Sequence, residues 1–284
     1  MNAAIRATFV LALVGVCAVP PAAAQASADR AKVLRAAADA LAMGRWSDIG
    51  TQTTRLPGID IVNTMEFQAS GVSDMDGRSV KTDYHAAVGY NPVAARLEVT
   101  RTPEGGAAQH AIYVVRDTYA WDESEIGAGL VRGKGVATPA MAAVRNRLLA
   151  IWMLPYGVVK AAYAAGDKTT VSTEAGTTVI TVPLSGQLAG ITLKATLDAK
   201  NLISKVEARA DNPALANLAS EVEYSNYADH AEVLTDVKSP GRIVRKQGGR
   251  TVLDLTVKTW ETNNPYLVFP VPPNVKAASA TTSR

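Results

Sequence analysis

The feature that most constrains this chain is an alternation of apolar and polar residues with a period of two. In the segment Ile191–Leu197, the apolar positions Ile191, Leu193, Ala195 and Leu197 share one face and polar residues occupy the other. Such alternation is typical of antiparallel strands that bury one face and expose the other. Because the pattern recurs through most of the chain, it predicts an α+β fold that is mainly antiparallel sheet.

Turn residues divide the alternating segments into strands. Asp76-Gly77 and Gly248-Gly249 are hairpin dipeptides, and Asp198-Ala199-Lys200-Asn201 is a four-residue turn. The predicted strands number ten or eleven and are Ile59–Ser73, Arg78–Tyr90, Ala94–Thr102, Gln109–Trp121, Thr169–Thr173, Thr177–Leu184, Gly190–Leu197, Leu202–Ala210 and three more within Glu221–Trp260. Open twisted sheets rarely exceed about ten strands without curling. The sequence therefore predicts a curled half-barrel sheet with helices on its concave side.

Helical spacing is confined to three segments. The first, Asp29–Met43, has Asp29 as a cap and Gly44 after its end. The other two form a kinked pair over residues 139–165, which begins at Thr138-Pro139, breaks at Pro155 and ends before Gly166. We predict one domain over residues 25–276, with this helix pair inserted, and a disordered tail over residues 277–284.

The N-terminus has the features of an export signal. Arg6 precedes an apolar run from Ala7 to Val19, and Ala22-Ala23-Ala24 provides a small-residue cleavage site before Gln25. We predict a signal peptide over residues 1–24, cut after Ala24, and a periplasmic or secreted chain. The apolar run is shorter than the ~20 residues that span a bilayer, so no transmembrane segment is predicted in the mature chain.

Charge and cysteine content exclude several classes of function. The formal net charge is +3 over 284 residues, and lysine and arginine are scattered, which is not the basic patch of a nucleic-acid-binding protein. The single cysteine, Cys17, lies in the predicted signal peptide. We therefore predict no nucleic-acid partner and a mature chain without disulfides or thiol chemistry.

No motif of a catalytic or metal site stands out. His85, His110 and His230 are far apart, and none has a second ligand at zinc-type spacing. The chain has no G-x-S-x-G motif, and Asp74–Gly77 resembles a hairpin turn more than a calcium loop, because Arg78 and Lys81 occupy ligand positions. We predict that the protein is not an enzyme and has no metal, no cofactor and no catalytic residue.

Large apolar side chains near the helix kink are candidates for a ligand pocket. Aromatic and methionine side chains line apolar pockets well, although they also build ordinary cores. The predicted pocket residues are Trp121, Met141, Leu148, Trp152 and Tyr156.

Several stretches resemble a known exported domain. They are Ile151–Ala162, Asp211–Leu215, Glu221–Tyr227, Arg242–Gly249 and Val252–Val257. Together they are similar to the uncharacterised domain that precedes the hydrolase domain in many bacterial metallo-β-lactamase-fold proteins. The H-x-H-x-D-H signature of that zinc hydrolase is missing here, so the resemblance implies a free-standing accessory domain and carries over no functional residues.

The curled sheet and the strand-turn-strand Leu197–Leu202 are also similar in architecture to periplasmic lipoprotein carriers of the LolA and LolB type. Two functions follow from these features. The first is a non-enzymatic periplasmic protein that binds a lipid or another apolar ligand between sheet and helix. The alternative is an accessory module for a separately encoded hydrolase of the metallo-β-lactamase fold.

Overall fold

A computed structural model of the chain describes residues 22–44, 46–49, 52–55, 58–59, 61–229 and 236–282. Nearly all of the predicted signal peptide and the whole of His230 lie outside these ranges. Export and the cleavage after Ala24 therefore stay predictions.

Helices and strands alternate in groups along the described chain. The helices are α1 (Ala22–Ala40), α2 (Val144–Met153), α3 (Pro155–Ala165) and α4 (Pro273–Thr282). The strands are β1 (Trp46–Ile49), β2 (Gln52–Arg55), β3 (Thr64–Met75), β4 (Arg78–Tyr90), β5 (Val93–Thr102), β6 (Gln109–Arg116), β7 (Tyr119–Glu123), β8 (Ala137–Pro139), β9 (Thr170–Glu174), β10 (Thr177–Pro183), β11 (Ile191–Leu197), β12 (Ile203–Ala210), β13 (Ser220–Ser225), β14 (Arg242–Gln247) and β15 (Arg250–Thr262).

Thirteen of the described strands form one antiparallel sheet in the order β8-β7-β6-β5-β4-β3-β15-β14-β13-β12-β11-β10-β9, and β1 and β2 form a separate hairpin. Neighbours in the sheet are neighbours in sequence except at β3–β15, the pair that joins the two halves. The predicted hairpins are confirmed, with Met75 opposite Arg78 and Gln247 opposite Arg250. The mainly antiparallel fold is therefore confirmed.

The predicted count of ten or eleven strands was wrong for two local reasons. The segment Gln109–Trp121 is two strands, because the chain turns at Asp117, whose φ of 51° is unusual outside glycine. Thr138 and Pro139, predicted to start a helix, belong instead to the edge strand β8, which pairs with β7. The helix starts later, with a 3-10 turn at Met141–Ala143 before α2.

Helix α2 shows that the sheet curls. It contacts β5, β6 and β7 on one side and β12 on the other. Strands lie about 4.8 Å apart, so β6 and β12 would be roughly 34 Å apart in a flat sheet. A helix of 10 residues is only about 15 Å long. The two halves must therefore bend toward each other around α2, and we call the face toward α2 and α3 the inner face.

The bend between α2 and α3 follows from Pro155, as predicted. Pro155 is the first residue of α3, and Leu154 before it is extended, with φ −61° and ψ 151°. The sharp bend brings Gly157 against the end of α2, where a Cβ would lie 2.2 Å from the Ile151 carbonyl oxygen. Helix α3 ends at Gly166 with φ 54°, also as predicted.

Within the described residues, no single helix is long and apolar enough to cross a membrane. The segments Met141–Met153 and Pro155–Lys168 meet the length and hydropathy requirements only when taken together, and they are bent by 95°.

The outer face of β4–β8 is covered by the C-terminal segment. Phe269 and Val275 pack there in a cluster, which we call the outer cluster, with Ala87, Ala94, Ile112, Val114, Trp121 and Ala137. Helix α4 extends to Thr282 and so covers much of the tail, residues 277–284, for which the sequence predicts disorder. Val275 is fully buried and anchors α4.

Candidate functional site

A cavity lies between α2 and the inner faces of β3–β6 and β14. Its volume is about 440 Å³. Small-molecule sites commonly have about 300–1,000 Å³. Its apolar lining residues are Phe67, Ala86, Val88, Ala95, Leu97 and Val115 on the sheet and Ala143, Ala150, Ile151 and Leu154 on the helical side.

Small side chains create this space. Ala86 and Ala95 on neighbouring strands face Ala143 and Ala150 on the helical side. Larger residues at these positions would close the gap, as the tightly packed Ile191, Leu193 and Leu197 do farther along the sheet. Ala150 is exposed although it lines the cavity, so the cavity opens to solvent beside α2.

The cavity continues toward β13. A smaller cavity of about 70 Å³ shares Phe67, Tyr84, Ala150, Leu154 and Arg245 with the larger one, and also touches Val222 and Tyr224 on β13. Phe67 lies between the two and stacks on Trp260, with ring centroids 4.7 Å apart, and on Tyr84, at 5.7 Å. Because they share five residues, the two cavities adjoin each other, and we call them together the groove under α2.

Polar residues also line the large cavity. They are Tyr84, Arg96, Arg101, Tyr113, Asn146, Arg147 and Arg245. Arg147 is well held, because it donates to the carbonyl oxygens of Val114 and Trp121 at 2.9 and 2.7 Å and to Asp122 Oδ1 at 2.5 Å. Its guanidinium also lies over the Tyr113 ring, 5.1 Å from the centroid.

Arg101 and Arg245 have far fewer partners. Arg101 Nε donates to Ser73 Oγ at 3.3 Å, and Arg245 Nη2 donates to Asn146 Oδ1 at 3.5 Å. Arg245 Nε is buried and has no hydrogen-bond acceptor in the described structure. In the same described ranges, neither guanidinium forms an ion pair with a carboxylate.

Tyr84 lines the same cavity as these two arginines. Burial raises the pKa of Tyr84 to about 12, and the charges of Arg245 and Arg101 act in the opposite direction. Burial also raises the pKa of Tyr224, whose hydroxyl donates to the Met153 carbonyl oxygen at 3.0 Å, and Arg245 again opposes the shift. Both phenols are therefore neutral donors at ordinary pH, and Arg245 is close enough to act on both.

A third cavity, of about 220 Å³, lies on another side of α2. It is lined by Val93, Asp117, Thr118, Leu148, Trp152, Ser185, Gln187 and Leu188. Unlike the large cavity, it has no arginine, lysine or histidine among its lining residues.

The structure separates the five predicted pocket residues. Leu148 and Trp152 line the third cavity, and none of the five lines the cavity of about 440 Å³. Trp121 is fully buried in the outer cluster, where Nε1 donates to Glu123 Oε1 at 2.9 Å. Met141 packs against both the outer cluster and the hydrophobic core on the inner face. Buried Tyr156 donates to the Lys238 carbonyl oxygen at 2.7 Å.

Sequence reasoning missed Arg101, Arg245 and Tyr84. One signal was present: in β14, Arg245 has the same parity as Ile243, and in β5, Arg101 has the same parity as Ala95, Leu97 and Val99. A charged residue on the buried face of a strand indicates a polar site, because isolated buried charges are costly.

The histidines form no metal site in the part of the chain that the structure describes, where no suitable group of three or more ligands occurs. His85 is on the outer face of β4 and lies 2.6 Å from Glu66 and 3.0 Å from Glu98. His110 Nδ1 contacts Thr100 Oγ1 at 3.1 Å. His230 lies outside the described residues.

No family model matches this chain, and no curated protein matches its sequence. Two solved structures are similar over most of their length. One is described as an outer membrane lipoprotein-sorting protein domain, from Vibrio parahaemolyticus, with a TM-score of 0.39 and 10% identity over 92% of this chain and 100% of that one. The other is a DUF1329 family protein from Desulfovibrio piger, with a TM-score of 0.33 and 9% identity over 87% of this chain and 94% of that one. Both scores are low, so neither likeness bears on what this chain does.

Proposed function

We propose that the chain is a non-enzymatic periplasmic protein that binds an apolar ligand, such as a lipid or an acyl chain, in the groove between the sheet and α2. The observation that carries this proposal is the cavity of about 440 Å³, which is lined mainly by alanine, leucine, valine and isoleucine and opens to solvent at Ala150. An acyl chain that enters it leaves water, which contributes about 25 cal/mol per Å² of apolar surface.

The shape of the groove favours a chain-like ligand over a compact one. The large cavity and its smaller continuation toward β13 share a row of residues, so a flexible chain can follow both. The accessory-module alternative stays a prediction, because no contact in the described residues favours it.

A cavity-filling variant tests the proposal. Ala150→Trp places an indole in the groove at an exposed helix position, and Ala164→Trp is the matched control on α3, because Ala164 is exposed and lines none of these cavities. The assay is titration with the fluorescent apolar probe N-phenylnaphthylamine, followed by its displacement with dodecanol.

We expect the parent chain and Ala164→Trp to bind the probe and to release it to dodecanol, and Ala150→Trp to bind it at least about tenfold more weakly. Circular dichroism checks that both variants are folded. The proposal is wrong if the parent chain binds neither probe nor dodecanol, or if Ala150→Trp binds both as the control does.

A further inference from the structure

The two arginines with few partners lie at the same end of the inner face. Arg245 on β14 is opposite Leu253 on β15, and Leu253 is opposite Ser73 on β3. On the other side of β3, Arg101 on β5 is opposite Thr82 on β4. This is the end at which the hairpins β3–β4 and β14–β15 turn. Arg101 reaches across β4 to Ser73, and Arg245 reaches toward Asn146 on α2, so both side chains lie over the groove.

Both arginines line the same cavity as Tyr84 and Phe67. The charge of each also acts on the Tyr84 phenol, and the Tyr84 ring stacks on Phe67, which stacks on Trp260. Ser73 cannot neutralise Arg101, and its hydroxyl also bonds with Thr82 at 2.7 Å. Most of the guanidinium donors of Arg101 and Arg245, together with the Tyr84 phenol, are therefore available to a ligand in this cavity.

Arg147 has a carboxylate partner, which Arg245 lacks among the described residues. Arg147 lines the same cavity, and its charge is balanced by Asp122 at 2.5 Å. Arg245 has one long hydrogen bond, to a neutral amide, and a buried Nε without an acceptor in the described structure. A guanidinium fork prefers a planar or tetrahedral oxyanion that accepts two hydrogen bonds.

We infer that the ligand is an anionic amphiphile, whose headgroup oxygens are bound by Arg101 and Arg245 while its apolar chain lies in the groove under α2. This rests on the proposed function and names the ligand class of the same site. The shared chemistry of the headgroup is an oxyanion, either a carboxylate or a phosphate monoester. Tyr84 is a third donor to the same oxyanion.

Three probes with one chain length separate the headgroup from the chain. Dodecanoate carries a carboxylate, dodecyl phosphate carries a phosphate, and dodecanol is neutral; each is used to displace N-phenylnaphthylamine from the full chain. We expect both anions to bind about tenfold or more tightly than dodecanol, as charge-assisted hydrogen bonds add to burial of the chain. The tighter of the two anions identifies the headgroup.

Charge-removing variants then locate the headgroup. Arg245→Met and Arg101→Met keep an apolar stem but lose the fork, and we expect each to reduce the preference for the anions over dodecanol by about tenfold. Arg78→Met is the control, because Arg78 is exposed at the β3–β4 hairpin and lines none of the cavities.

The outcomes distinguish the two proposals. Equal binding of dodecanoate, dodecyl phosphate and dodecanol overturns the anionic headgroup and leaves the apolar groove standing. A preference that survives in Arg245→Met and Arg101→Met, or that is lost equally in Arg78→Met, overturns the arginine site. Failure of all three probes to bind overturns the proposed function itself.

Discussion

Glu123, buried on the outer face, and the half-buried Arg101 and Arg245 on the inner face differ in their partners. On the outer face, the fully buried Glu123 accepts from Arg96 Nε at 3.2 Å, from Trp121 Nε1 at 2.9 Å and from the Gly127 amide at 3.0 Å. On the inner face, Arg101 and Arg245 have only neutral, long contacts among the described residues.

The two faces also differ in how completely their side chains are packed. The outer cluster is closed by Phe269 and Val275 from the C-terminal segment, and Arg96 lies 5.8 Å from the Phe269 ring centroid. The inner face is filled by helices except beneath α2, where alanines leave a groove. On the inner face, arginines without a carboxylate partner line the same groove that the helices leave unfilled, as expected of a binding surface and not of a core.

The largest expected effect tests the outer face. Glu123→Ala leaves the Arg96 guanidinium, whose side chain is 12% exposed, without its carboxylate. Loss of one partner of a buried ion pair typically costs about 3–5 kcal/mol, so we expect the free energy of unfolding in urea to fall by about that amount. Asp122→Ala is the control, because the Asp122 side chain is 46% exposed, and it should cost about 1 kcal/mol or less. Equal losses for the two would remove the contrast between the faces.

An intermediate effect tests the environment of Tyr84 on the inner face. Because burial raises its pKa to about 12 in the folded chain, while an unfolded tyrosine titrates near ~10, the unfolded state loses the proton first as pH rises. This contribution to stability is complete below pH ~10 and is lost between ~10 and ~12. Between pH ~10 and ~12, Tyr84→Phe should therefore lose less free energy of unfolding in urea than the parent chain does.

Other buried tyrosines give the background for that measurement. Burial also raises the pKa of Tyr90 and Tyr227, so the parent chain and Tyr84→Phe should both lose stability above pH ~10. Only the difference between the two proteins in the slope of unfolding free energy against pH reports on Tyr84. Identical slopes would show that Tyr84 titrates normally and does not lie in a dry site.

The smallest effect tests the inner arginines without ligand. Since Arg101 and Arg245 have no carboxylate partner in the described ranges, Arg101→Met and Arg245→Met should change the free energy of unfolding by no more than about 0.5 kcal/mol, or should raise it. Urea unfolding of delipidated protein provides the values. A loss near that of Glu123→Ala would mean that these arginines stabilise the fold and are not held for a ligand.

Local patterns predicted the strands well where alternation and turn chemistry agreed. The face of β11 is confirmed residue by residue, and the turns at Asp76-Gly77 and Gly248-Gly249 have the positive φ angles that such hairpins need. The prediction failed at Asp117, where a residue other than glycine turns the chain, and at β8, which is too short to show a period.

The site was less predictable because it depends on which strand faces meet. In β15, a register shift between Val257 and Thr259 changes the parity, so that Trp260 shares the inner face with Leu255 and Val257. Trp121 faces outward because the C-terminal segment covers the outer face, and no pattern within β7 shows that cover. The groove itself arises from alanines on β4, β5 and α2, which are unremarkable in each segment alone.

Native mass spectrometry with solvent extraction tests directly whether the groove under α2 binds an apolar ligand. The parent chain, Ala150→Trp and Ala164→Trp are purified from the periplasm of a bacterial host without delipidation. We expect a stoichiometric acyl-chain amphiphile on the parent chain and on Ala164→Trp, and a ligand-free mass for Ala150→Trp. A ligand-free parent chain, or the same adduct on all three proteins, would contradict the assignment of the groove under α2 as a binding site for an apolar ligand.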